Sequence, residues 1–206
     1  MPYLSVVIPA YNEKKRLPKT LGSVARYLKN SPKTIEVIVV DDGSKDNTFE
    51  AASVYKTKFK NLSIIRLDKN RGKGYAVKKG MLNSIGKTCV FLDADGSVSP
   101  KEIERNIHYI SGGDYDIFIG SRVLHNKEQV LKVKLYRMLI GHVFNLLVRT
   151  FLFKNIKDTQ CGFKMFKKET IEPLFSRICL DRFGFDIELL YLVYKMGYKI
   201  KEGPVS

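Results

Sequence analysis

The 206-residue sequence has little cysteine: Cys89, Cys161 and Cys179 lie far apart, with no CxxC spacing. That usage argues against a disulfide framework or a thiolate zinc site and fits reduced thiols in a cytoplasmic protein. Long apolar runs are missing too. None reaches the ~20 residues needed to span a bilayer, and Met1 leads into an apolar strand by Leu4 without the basic and hydrophobic segments of a secretory leader. The expectation is contact with a membrane, where there is any, from the side. Repeats, low-complexity tracts and linkers are absent, which predicts one domain over residues 1–206. The last deficit is negative charge: 21 Asp and Glu stand against 36 Lys and Arg, a formal net charge of +15. Such a surface favours nucleic acid, anionic lipid headgroups or phosphorylated substrates. No RNP, KH or helix-turn-helix pattern supports the first of these, so nucleic acid is not expected as a partner.

Strand and helix patterns alternate through the first half. Apolar runs at Tyr3–Ala10, Ile35–Asp42, Leu62–Leu67, "KTCVFLDAD" and "YDIFIGSR" read as strands. Between them lie helical patterns at Glu13–Asn30, with Asn12 as N-cap, after Asp46 or Asn47, from Gly74 to about Ile85, and from Pro100. This order predicts an α/β fold with a mostly parallel central sheet flanked by helices. Ligands of such sheets bind beyond the carboxyl ends of the strands. There the sequence carries "PAYNE", "DDGS", "DAD" and "GSR". In the second half, Lys132–Phe153 reads as one long helix with a wide apolar arc, which suits a core or a membrane interface equally. Its His142 has no second metal ligand at a suitable spacing. Helices around Glu169–Phe175 and in "FDIELLYLVYKMG" follow, and "YKIKEGPVS" reads as a strand cut short.

Asp93 and Asp95 carry the strongest chemical signal. Residues i and i+2 of an extended segment point to one side, and two hard oxygen donors suit Mg²⁺ or Mn²⁺ shared with substrate phosphates. A bare solvated turn capping the next helix is the alternative. Asp41, at the end of its strand, can accept hydrogen bonds from a base or ribose, with Gly43 allowing the turn. Turn chemistry alone also explains that pair. Pro9 ends the first strand, Tyr11 offers a stacking face and Glu13 an acceptor; a strand exit with a cap reads the same way. Arg71, Gly72, Lys73 and Gly74 precede a helix and can lie near phosphate, as can a flexible basic loop; the Walker A spacing is absent.

Taken in order, "PAYNE", "DDGS", "NRGKG", "DAD" and "GSR" resemble the family-2 inverting glycosyltransferases. "GSRVL", "DTQCGFKMF" and "RFGFDIELLY" narrow the resemblance to the dolichyl-phosphate β-glucosyltransferase branch, beside the dolichyl-phosphate mannose synthases. The resemblance implies a GT-A, Rossmann-like catalytic domain that moves a hexose from a nucleotide sugar to a polyprenyl (dolichyl) phosphate. The donor would be of the UDP-glucose or GDP-mannose type, glucose being the first choice, and Mg²⁺ or Mn²⁺ the cofactor. It would work at the cytoplasmic face of a membrane, as a peripheral protein on an anionic surface. Pro9, Tyr11, Glu13, Val39, Asp41 and Lys73 then fall to the donor, as do Asp93 and Ala94, with Asp93 and Asp95 on the metal. Arg122 would handle phosphate at the reacting centre. Asp158 and Gln160 would line the meeting place of sugar and acceptor, and Asp186 and Glu188 the acceptor region. Asp95, Arg122 and Asp158 are the residues implied in catalysis. Ser97 stands where the mannose synthases commonly have glutamine, which leaves two carboxylates as side-chain ligands. Family members continue past the last strand into a further loop and often into transmembrane helices, whereas this sequence stops at Ser206; it reads either as a soluble excerpt or as a shorter protein. A family-2 enzyme acting on a sugar hydroxyl would instead need a base, for which Asp158, Asp186 and Glu188 are the candidates.

Overall fold

The computed structural model describes residues 1–28, 31–124 and 156–206; the long helix expected over 132–153, with His142, lies outside them. Seven strands are described: β1 (Leu4–Ala10), β2 (Ile35–Asp41), β3 (Leu62–Arg66), β4 (Thr88–Leu92), β5 (Ile117–Ser121), β6 (Phe163–Lys167) and β7 (Ile200–Pro204). They form one sheet in the order β3-β2-β1-β4-β6-β5-β7. Every neighbouring pair is parallel except those made by β6, which runs antiparallel to both β4 and β5. All residues of β1 and β4 are buried. A strand covered on both faces needs apolar side chains on both, which is why these segments read as unbroken apolar runs.

The helices that cover the sheet are α1 (Leu17–Leu28), α2 (Thr48–Ser53), α3 (Lys73–Asn83), α4 (Lys101–Ser111), α5 (Lys168–Phe175) and α6 (Phe185–Lys195). Alternate strand residues divide between two cores. Val6, Ile8, Val37 and Val39 pack with Leu17, Leu21 and Val24 of α1 and Ile103 of α4. Val7, Ile38 and Val40 pack on the other face with Val77 and Met81 of α3 and Phe185 and Leu189 of α6.

Two local readings change. Asn12 does not cap α1. It takes a left-handed backbone (φ 55); its N–H donates to Ser44 Oγ (2.9 Å) and its Oδ1 accepts from Lys45 N (2.8 Å). The side chain thus ties the β1 exit to the β2 exit, and α1 starts later, at Leu17, with Pro18 in its first turn, where no amide partner is needed. The second change is β6, within a segment to which the sequence reading assigned no strand. Because β6 runs backwards, its first residue, Phe163, pairs with Leu92 at the end of β4. The preceding loop, residues 157–162, is therefore delivered to the carboxyl edge of the sheet, beside "DAD" and "GSR".

Candidate active site at the carboxyl edge of the sheet

The β2 exit organises one wall. Asp41 is fully buried. Its Oδ1 accepts from Ser44 N (3.0 Å), and its Oδ2 lies 3.5 Å from Arg66 Nε. Asp42 instead lines the cleft. Its Oδ1 accepts from Arg71 N (2.8 Å), and its Oδ2 from Gly72 N and Asn70 Nδ2 (2.8 Å each). One carboxylate thereby shapes the "NRGKG" loop. Burial raises the Asp42 carboxyl above its ordinary range, against the opposing pull of the Arg71 and Gly72 amides. Gly43 between these elements has φ 65, and a Cβ there would meet the Lys69 carbonyl carbon at 2.5 Å, so the turn requires glycine.

The β4 exit supplies the opposite feature. β4 ends at Leu92, so Asp93 to Asp95 form a turn, and strand alternation is not what aligns the two carboxylates. The turn is held from both sides: Asp93 N–H donates to Gly162 O (3.1 Å), and Thr20 Oγ1 donates to Ala94 O (2.7 Å). Asp93 Oδ1 lies 2.7 Å from Lys73 Nζ, and Asp95 Oδ1 accepts from Ser97 N (2.9 Å). The Asp93 carboxylate lies against Gly162, where any Cβ would overlap it.

These elements enclose a cleft of about 430 Å³. The structure brings Pro9, Tyr11 and Glu13 of the β1 exit together there with Lys73, Asp93, Ala94 and Asp95. Glu13 N–H donates to Thr48 Oγ1 (2.8 Å), and the Glu13 carboxylate accepts from Arg16 Nε (2.6 Å). Val39 is not at the cleft; it is buried in the core. Arg16, Asp42, Asn70, Arg182 and Phe183 also line the cleft and were not singled out from sequence. Arg182 and Phe183 belong to "RFGFDIELLY", quoted above only as a branch signature, and Phe183 is largely exposed.

Asp93 and Asp95 offer oxygen donors on one cleft wall. Among the described residues no group of three or more His, Cys, Asp or Glu is placed to hold a metal. Two carboxylates fit a Mg²⁺ or Mn²⁺ ion that completes its shell with substrate phosphates and water; they do not make a closed structural site.

The loop before β6 meets the β5 exit at Arg122 and Asp158. Asp158 Oδ2 accepts from Arg122 N (3.1 Å) and lies 3.5 Å from Arg122 Nε. Glu202 of β7 accepts from Lys157 N and Asp158 N (2.9 Å each to Oε1), holding this loop in turn. Burial alone would lower the Arg122 guanidinium, but Asp158 foremost, with Asp93 contributing, holds it above its ordinary value. Arg122, Asp158 and Gln160 are not among the residues that line the cleft. Gln160 is exposed on the same loop. Burial, and then Asp158, pushes the Cys161 thiol up to about 11, so it is not a thiolate nucleophile at neutral pH.

Asp186 and Glu188 are placed differently. Asp186 is buried in an ion pair with Lys164 (2.6 Å). Glu188 accepts from the backbone amides of Cys179 (3.0 Å) and Leu180 (2.8 Å), which shapes the segment leading to Arg182.

Residues 5–175 match the family model described as glycosyl transferase family 2. The chain belongs to glycosyl transferase family 2. Among curated relatives, a dolichyl-phosphate β-glucosyltransferase of Dictyostelium discoideum is 40% identical over 99% of this chain, and one of Homo sapiens is 39% identical over 98%. The chain spans 66% of the length of each. Among solved structures, glucosyl-3-phosphoglycerate synthase from Mycobacterium tuberculosis, in complex with Mn²⁺, UDP-glucose and phosphoglyceric acid, matches 98% of this chain and 69% of its own. The TM-score is 0.76 at 18% identity. Staphylococcus aureus TarS residues 1–349 match with a TM-score of 0.66 at 19% identity, over 97% of this chain and 57% of that one. The fold of this family-2 chain is GT-A, as its resemblance implied.

Proposed function

We propose that this chain transfers glucose, with inversion, from UDP-glucose to dolichyl phosphate at the cytoplasmic face of a membrane. The observation that carries the reading is the set of relatives named dolichyl-phosphate β-glucosyltransferase. They run from 40% identity in Dictyostelium to 36% in Saccharomyces cerevisiae, each over 98–99% of this chain. The cleft chemistry supports it. Tyr11 offers a face for the base, and the Asp42-shaped loop with Lys73 faces the diphosphate. A divalent cation held by Asp93 and Asp95 would supply Lewis-acid stabilisation of the departing diphosphate.

In the transfer, the bond from the anomeric carbon to the diphosphate oxygen breaks, its electron pair leaving with UDP, and a bond to an acceptor phosphate oxygen forms. A phosphate monoester, whose second pKa is about 6, is already largely ionised at pH 7, so the site needs no strong general base. The residue beside the reacting centre is accordingly a cation, Arg122. Asp158 fixes its backbone and side chain, and the guanidinium can hold an acceptor phosphate that the donor diphosphate would otherwise repel. The +15 charge supports docking on an anionic leaflet, where such an acceptor lies. Among the described residues, no helix is long and apolar enough to cross a membrane.

The test is a donor and acceptor screen with the purified protein and Mg²⁺ or Mn²⁺, following lipid-linked sugar. UDP-glucose with dolichyl phosphate should give product well above GDP-mannose or a UDP-N-acetylhexosamine. Preferential glucosylation of a sugar hydroxyl would replace this reading with that of a glycan-extending enzyme.

A further inference from the structure

Lys73 occupies a carboxylate oxygen that a catalytic cation would also use. Its backbone is fixed at the start of α3, where the preceding Gly72 amide donates to Asp42 Oδ2 (2.8 Å) and the Tyr75 amide to Asp181 O (3.0 Å). Its side chain crosses to β4 and sets Nζ 2.7 Å from Asp93 Oδ1, with both side chains about a fifth to a quarter exposed. Asp93 has little freedom to turn away. Its amide is bonded to Gly162 O, and its carboxylate fills the space that a side chain at 162 would take. Cation and ammonium are therefore rivals for one carboxylate oxygen.

We propose, on the reading of Asp93 and Asp95 as the cation's ligands, that Lys73 is an exchangeable counter-ion that makes cation binding depend on the donor. Without a donor the ammonium neutralises Asp93 and keeps the affinity for a free divalent cation low. When a nucleoside diphosphate enters, its oxygens offer Lys73 a second anionic partner in the same cleft, and the ammonium moves from Asp93 to the diphosphate. The vacated carboxylate oxygen then takes the cation, and the two ligands enter cooperatively. The exchange is cheap: a partly exposed Lys–carboxylate pair is worth little on its own, the Lys side chain rotates easily, and its charge meets an anion before and after. Binding of one ligand raises affinity for the other by the same factor, as linkage requires.

The test measures binding, not turnover. Mn²⁺ alone is titrated by electron paramagnetic resonance, and UDP is titrated calorimetrically with and without Mn²⁺. The proteins are the wild type, Lys73→Met, Lys73→Gln as a second charge-removing variant, and Arg182→Met. The last removes a cation from the same cleft while leaving the Lys73–Asp93 pair intact. Lys73→Met and Lys73→Gln should bind free Mn²⁺ at least about threefold more tightly than the wild type, the scale of a partly exposed pair. The mutual enhancement between Mn²⁺ and UDP should fall by about the same threefold factor, the direct contact between cation and diphosphate keeping the rest. Unchanged Mn²⁺ affinity in both Lys73 variants overturns the proposal, as does an equal gain in Arg182→Met, which would mark a general charge effect. Failure of every protein to bind Mn²⁺ while UDP still binds overturns the reading of Asp93 and Asp95 as metal ligands, and the proposal with it.

Discussion

Lys164 Nζ lies 2.6 Å from Asp186 Oδ1 with both side chains buried, and the same ammonium donates to Cys161 O (2.8 Å). A lysine in the middle of a sheet is thus neutralised by a helix and spent on the loop that carries Asp158 and Gln160. Removing one partner strands the other charge out of water, which costs about 3–5 kcal/mol. Lys164→Met and Asp186→Asn should each lower stability by roughly that amount in urea unfolding. Lys164→Met with Asp186→Leu should recover much of the loss. A double variant no better than the singles would mean that the pair is not a self-contained unit.

Gly162 is predicted to matter for function through Asp93. Gly162→Ala must displace the Asp93 carboxylate, and a shift of about 1 Å at a reacting centre can cost on the order of 100-fold. Glucosyl transfer and Mn²⁺-dependent UDP binding should both fall while circular dichroism stays native-like. Retained binding and turnover would show that Asp93 is free to relocate.

Arg122 should act on turnover more than on donor affinity. Arg122→Ala is expected to lower kcat by about 100- to 1000-fold, the scale of removing one preorganised charge partner. UDP-glucose affinity measured by calorimetry should stay close to wild type. Arg122→Lys should restore only part of the rate, because a point charge does not reproduce the planar fork. Equal losses in donor affinity and kcat would move Arg122 from the acceptor to the donor.

Acid stability offers an independent check of the frame. Asp116 Oδ1 accepts from Lys167 Nζ (2.8 Å) and Oδ2 from Lys199 N (2.9 Å), tying the entry of β5 to β6 and β7. Burial pushes this carboxyl up, but the Lys167 hydrogen bond, the Lys199 amide and the two lysine charges outweigh it and hold it below its ordinary range. A depressed carboxyl stabilises the fold above its unfolded pKa of about 3.9 and loses that contribution as pH falls through the folded value. Asp116→Asn should therefore lower the melting temperature at pH 7, by roughly 1 kcal/mol of stability. The gap should close below about pH 4. A gap independent of pH would remove the charge from the explanation.

The central parallel strands β1, β2 and β4 were legible because burial on both faces leaves an unbroken apolar signature, as in "VVIPA" and "CVFL". β6 was not, because "FKMFK" interrupts its apolar residues with Lys164, whose partner Asp186 lies 22 positions away. The cleft itself was largely legible, since the strand ends that carry it are short motifs at predictable places. What sequence does not fix is which of two adjacent side chains faces a ligand. Asp41 and Asp42 differ by one position, yet one is sealed in the sheet and the other shapes the "NRGKG" loop. Likewise, Asp186 and Glu188 read as acidic candidates, whereas the structure engages one with a buried lysine and the other with two backbone amides.

The most direct measurement of the central claim is transfer of radiolabelled glucose from UDP-glucose to dolichyl phosphate by the purified protein with Mg²⁺, alongside Asp95→Ala. The Asp95 side chain is exposed and, among the described residues, accepts a hydrogen bond from the Ser97 amide, so its removal should leave the fold intact. The account predicts β-linked glucosyl phosphoryl dolichol from the wild type, abolished by a metal chelator and by Asp95→Ala. Undiminished product from Asp95→Ala or in the presence of chelator, or no lipid-linked glucose from the wild type, would contradict it.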